Sequence, residues 1–183
     1  LIEAQRLGRN AIGIELQEDV AKAAHDLVEQ EKTKDFKGTI IVGDSRTANI
    51  EDRLHHFGID KVQFVIYHPP YWDIIKFSDN EKDLSNCDSL EEFNQSFGEV
   101  IDNTSKYLEK NRYCACVIGD KYANSEIVPL GFYCMNLFLS RGFKLKAILV
   151  KNFEDTKGKS NQKAIWRYRA LASDFYLFKH EYI

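Results

Sequence analysis

No stretch of the 183-residue sequence approaches the roughly 20 consecutive apolar residues that a membrane-spanning helix requires, which excludes a helical membrane protein. The basic, apolar and small-residue succession of a secretory leader is also missing near the start. The four cysteines, Cys87, Cys114, Cys116 and Cys134, form neither a disulfide framework nor paired zinc-ligand spacing. A cytoplasmic protein with reduced thiols and no metal site is therefore expected. Cys114 and Cys116 stand two apart in an apolar run, so both face one side of a strand as small core residues. Positive charge is not in excess: a net charge of −3 and a pI near 6.0 exclude a uniformly basic nucleic-acid glove but not a local basic surface. Proline is scarce, with three in the chain, and two of these are adjacent at Pro69 and Pro70. No internal repeat, low-complexity tract or second domain is visible, and residues 1–183 are read as one domain.

What is present is an alternation. Apolar, β-branched runs predict strands at Ala11–Glu15, Thr39–Val42, Val62–Tyr67, Tyr113–Ile118, Phe143–Val150 and Phe175–Tyr182. Helical spacing fits Glu18–Lys32, with Val20, Ala23, Ala24, Leu27 and Val28 on one stripe, then Leu90–Leu108 and Ile127–Leu139. This order implies an α/β fold: a doubly wound, mostly parallel sheet with helices on both faces and ligands at the carboxyl ends of the strands. The last two strands have no helix between them, which places one antiparallel strand near the edge. Residues 1–8 read as a helix end running into a Gly8 cap, so further chain is expected upstream.

The residues just past each strand carry the functional reading. Glu15 ends the first strand, where a carboxylate accepts hydrogen bonds from ribose hydroxyls in nucleotide-binding α/β folds; it equally suits the first turn of the next helix. Gly43-Asp44-Ser45 follows the second strand and offers Asp44 either to an adenine amine or as a helix cap. Asp120 and Lys121, after the fourth strand, stand at the same end and are further candidates for lining the cofactor or base pocket.

The third strand runs into His68-Pro69-Pro70-Tyr71-Trp72. Two prolines fix the backbone and donate no hydrogen bond, so the carbonyls there can face a ligand. A base amino nitrogen is a poor nucleophile because its lone pair is delocalised into the ring. Acceptors at its two N–H groups, here the His68 ring and the Pro69 carbonyl, would draw it toward tetrahedral geometry and aim the lone pair at an incoming methyl group. A base inside a duplex cannot be reached in this way, so it must be flipped out and stacked on Tyr71, with Trp72 beside it.

HPPYWDIIKFSDNEKDLSN resembles the catalytic region of the amino-group-specific DNA methyltransferases, whose motif is Asp, Asn or Ser followed by Pro-Pro-Tyr. LIEAQRLGRNAIGIEL is similar to the segment that follows the Gly-rich cofactor loop of that family, and the resemblance extends through IGDKY to FYLFKHEYI. It implies an S-adenosylmethionine-dependent enzyme in which Glu15 binds the ribose of the cofactor, Asp44 meets its adenine, and His68, Pro69, Pro70 and Tyr71 hold the target base. It further implies the seven-stranded methyltransferase sheet, with the central strand and Gly-rich loop preceding Leu1.

His68 departs from the family pattern. Neutral histidine still accepts one hydrogen bond, and activity is expected to fall in acid as the ring protonates. The target base stays open between adenine N6, which is preferred, and cytosine N4. Between Lys151 and Arg169 six basic residues, among them Lys157, Lys159, Lys163, Arg167 and Arg169, interleave with Trp166 and Tyr168 and are the expected nucleic-acid contact; a solvated loop fits their charge equally well. DNA is the expected partner. The alternatives are an RNA base as substrate, or a non-catalytic subunit of the same fold beside an active one. Association with a restriction nuclease belongs to the family resemblance alone.

Overall fold

The computed structural model describes residues 1–31, 35–152 and 180–182. Helix α1 (Ile2–Arg6) ends as its sequence predicts: Gly8 takes φ +70°, its N–H bonds the Gln5 carbonyl at 3.0 Å, and Arg9 N–H reaches the Ala4 carbonyl at 2.8 Å. This paired closure satisfies carbonyls that the helix end would otherwise leave open, and a side chain at Gly8 would strain it. Strand β1 (Ala11–Glu15) then pairs in parallel with β2 (Gly38–Val42) through the crossover helix α2 (Glu18–Gln30). Gln5, 2% exposed, ties the unit together: its amide nitrogen donates to the Val28 carbonyl and its oxygen accepts from Gly38 N–H.

A second crossover, containing α3 (Glu51–His56), leads to β3 (Val62–Tyr67). Helix α4 (Leu90–Ser105) connects β3 to its parallel partner β4 (Leu108–Cys116). Ser89 caps α4 by accepting from Glu92 N–H, while the Glu92 carboxylate accepts from Asp88 N–H, a reciprocal closure of the first turn. The chain continues through β5 (Ile118–Gly119) and the hairpin β6 (Lys121–Ala123) and β7 (Glu126–Val128) to α5 (Leu130–Ser140). Strands β8 (Val150–Asn152) and β9 (His180–Tyr182) complete a three-stranded sheet in the order β5-β9-β8, with β9 antiparallel to both neighbours. The architecture is mixed α/β, with two parallel strand pairs and an antiparallel strand between β5 and β8.

The core lies between α4, α5 and one face of β3 and β4. Phe93, Phe97, Val100 and Ile101 recur on α4 at spacings of four, three and one, so they form one stripe, which meets Tyr67, Leu130, Cys134 and Phe138. Cys114 and Cys116 pack against this cluster, as their spacing predicts. The Cys116 thiol is pushed up by its hydrogen bond with Cys134 and by burial. Burial likewise drives the Tyr67 hydroxyl up to about 12, against a contact with Thr104 that works the other way. On the opposite face of the same strands Phe64, Ile66 and Tyr113 are 52%, 64% and 61% exposed.

Several predicted elements differ. Val20 and Leu27 are exposed, and the buried stripe of α2 is Ala21 and Val28 with Ala24 half-buried, because α2 packs chiefly on β2. The expected helix at Ile127–Leu139 starts only at Leu130, since the residue before Pro129 is driven out of helical geometry and Glu126–Val128 pairs as a strand instead. Residues 143–149 are not a strand: the β8–β9 register begins at Val150↔Tyr182, beyond which the described residues offer them no ladder. Of the predicted strand Phe175–Tyr182, only His180–Tyr182 falls within the described residues.

Candidate functional site

Glu15 closes β1, and Asp44, His68 and Asp120 stand just past the carboxyl ends of β2, β3 and β5. Glu15 Oε1 accepts the Gln17 N–H at 2.9 Å, at the entry to α2, so one carboxylate oxygen serves the helix start and Oε2 meets no donor among the described residues. The Glu15 carbonyl receives Gly43 N–H at 2.8 Å, which holds the ends of β1 and β2 side by side.

Asp44 is more heavily engaged. Its oxygens accept from the Arg46 backbone N–H at 2.9 Å, from Nε at 3.0 and 3.1 Å, and from the guanidinium NH2 group at 2.9 Å. Partial burial works to raise its pKa, but the Arg46 hydrogen bonds and charge outweigh that and hold the carboxyl below the usual range. Arg46 also reaches the Lys82 carbonyl, and with Lys82, Asp83, Cys87 and Ser96 it lines a cleft beside Asp44. Another cleft, lined by Gln5, Lys37 and Arg53, lies at the opposite, amino end of β2 and has no part in this arrangement. Asn103 of α4 fixes the Asp44 turn from below by donating to the Ser45 and Ala48 carbonyls at 3.0 and 2.9 Å.

The His68 side chain is exposed, Pro69 is buried, and Pro70 and Tyr71 are half-buried. The Tyr71 hydroxyl stands 3.5 Å from His68 Nε2, the outer limit of a hydrogen bond, and the two rings are 6.0 Å apart. No donor meets the Pro69 carbonyl among the described residues. Trp72, at φ +52°, donates its indole N–H to the Cys87 carbonyl at 2.9 Å and carries the Lys121 ammonium 4.0 Å from its ring centre. Asp120 Oδ1 accepts from Gly131 N–H at 3.2 Å in the first turn of α5.

Residues 78–86, which follow this segment, close as a hydrogen-bonded turn around Asp83. Asp83 is buried; its carboxylate accepts from Ser78, from the Ser85 hydroxyl and from Ser85 N–H, and these bonds overcome the effect of burial and depress its pKa. Asp102 is depressed as well, chiefly by the Arg141 guanidinium that grips both its oxygens. Stability linked to Asp44, Asp83 and Asp102 is present in full above the ordinary carboxylate value near ~4 and is lost as pH falls through their lower folded-state values. The urea midpoint is expected to hold between pH 7 and 5 and to drop below pH 4; a midpoint unchanged down to pH 2.5 would contradict this.

Sequence reasoning placed these residues at strand ends, Lys121 among them, but did not single out Arg46. The signal for Arg46 was its position two residues after Asp44, within reach of that carboxylate in a turn. Lys157, Lys159, Lys163, Trp166, Arg167 and Arg169 lie outside the described residues. No family model matches the chain, and no curated protein matches it. Among the described residues no helix is long and apolar enough to cross a membrane.

Proposed function

We propose that the chain is an S-adenosylmethionine-dependent methyltransferase acting on the exocyclic amine of a flipped-out DNA base, with adenine N6 preferred over cytosine N4. One observation carries this reading: His68-Pro69-Pro70-Tyr71 follows the carboxyl end of a parallel strand, while Glu15 closes a second and Asp44 follows a third at the same end. We infer a doubly wound sheet of order β2-β1-x-β3-β4/β5-β9-β8, in which a strand x pairs with the edges of β1 and β3 that have no partner among the described residues. The exposed apolar face of β3 and β4 supports the same reading, since both faces of such a sheet carry helices.

The cofactor would supply an electrophilic methyl group. Glu15 fits its ribose, because Oε2 remains to accept from a hydroxyl; Asp44 fits the adenine amine only if Arg46 shares the carboxylate. At the target, the His68 ring and the Pro69 carbonyl accept from the amine, and Tyr71 offers a face for stacking. These groups orient the amine and stabilise positive charge that develops on it, without themselves entering a covalent step.

The test is transfer of labelled methyl from S-adenosylmethionine to duplex DNA and to tRNA by the full-length protein. Labelled DNA supports the proposal, and nucleoside analysis then names the base. Labelled tRNA alone transfers the reading to an RNA base, and neither makes the chain a non-catalytic subunit. Glu15→Gln, which removes a charged acceptor, is expected to weaken cofactor binding by about ten- to a hundredfold in calorimetry. Unchanged affinity would remove Glu15 from the cofactor site.

A further inference from the structure

Trp72 occupies a conformation that L side chains rarely adopt, directly after the segment assigned to the base, and three contacts hold it there. Its N–H is used by the Cys87 carbonyl, one face of its ring carries the Lys121 ammonium, and the same ammonium is ion-paired with Asp73. The Lys121 side chain is 15% exposed and comes from β6, immediately after the residue that closes the start of α5. Backbone strain of this kind persists only where the surroundings over-determine it. We propose that Lys121 is a positioning residue for the base-holding segment: by clamping Trp72 and Asp73 it fixes the turn after Tyr71 and so sets the angle at which His68 and Tyr71 meet the base. This rests on the reading of His68–Tyr71 given above. A charge neutralised by Asp73 and laid on an indole is poorly placed to meet a phosphate, so Lys121 acts through Trp72, and Trp72 is an anchor whose covered face leaves stacking to Tyr71.

The chain has two tryptophans, so a Trp166→Phe background makes Trp72 the sole indole reporter. In that background Lys121→Met is expected to red-shift Trp72 emission and raise its quenching by acrylamide, and Lys121→Arg to restore both. Asp73→Asn, at the more exposed partner, should move them in the same direction with less risk to folding. In methyl transfer, Lys121→Met is expected to lower kcat about tenfold with cofactor affinity unchanged, Lys121→Arg to recover most of the loss, and the salt dependence of DNA binding to stay the same. Unaltered Trp72 emission and quenching in both Lys121→Met and Asp73→Asn would overturn the clamp. A salt slope reduced by about one would overturn it in favour of a direct phosphate contact. If the parent protein transfers no methyl to any substrate, the proposed function fails while the emission arm still decides the clamp.

Discussion

His68→Ala is expected to lower methyl transfer by about 10²–10³-fold, the loss that follows removal of one fixed hydrogen-bonding group aimed at charge developing in a transition state. Cofactor affinity and the melting temperature should stay close to those of the parent, because His68 is exposed and, among the described residues, the Tyr71 hydroxyl alone approaches its Nε2. The rescue separates an acceptor from a mere filler of space. Asn offers a carbonyl oxygen at a similar reach, so His68→Asn should recover much of the rate. Steady-state kinetics of both variants on duplex DNA decide the matter. An alanine variant with undiminished kcat would remove His68 from the site and leave the backbone carbonyls as sole acceptors.

Phe97→Ala is expected to destabilise the protein by about 3–5 kcal/mol, the range for emptying a buried aromatic position. Phe97 is 1% exposed and its ring stands 6.1 Å from that of Tyr67, 6.2 Å from Phe93 and 6.1 Å from Phe138, so its loss removes a ring that three others share. Total stability of a domain is commonly 5–15 kcal/mol, and a loss of this size removes a large share of it. The urea midpoint should fall with little change in slope. The effect bears on the site because Tyr67, against which Phe97 packs, is the last residue of β3 before His68. A midpoint within experimental error of the parent would mean that α4 does not hold β3 in place.

Strand ends were the most legible part of the sequence. Ala11–Glu15 and Val62–Tyr67 match the structure at both boundaries, since a buried parallel strand is a short apolar run closed by polar or turn residues. The start of α4 at Leu90 and the Gly8 cap were equally local and equally visible. Tertiary geometry decided the rest. Leu145, Ile148 and Leu149 have strand composition, yet a strand also needs a partner in register, which composition does not encode. Ile127 and Val128 read as helix until Pro129 and the tight turn at Asn124 and Ser125, both at positive φ, are taken together. At the candidate site, the motif singled out His68 and Tyr71, and the position after a strand singled out Lys121, whose partners Trp72 and Asp73 lie tens of residues away and were not foreseen. Arg46 was missed although its carboxylate partner Asp44 is only two residues distant.

Asn103 rests the hold of α4 on the Asp44 turn on the donors of one side-chain amide. A carboxylate has nearly the same outline but donates nothing, so hydrolysis of that amide would turn two attractions into two repulsions inside a buried seam. The turn would then loosen through the slow chemistry of ageing, with no change of temperature or solvent, and a stored preparation would record its own history in how firmly α4 holds the end of β2.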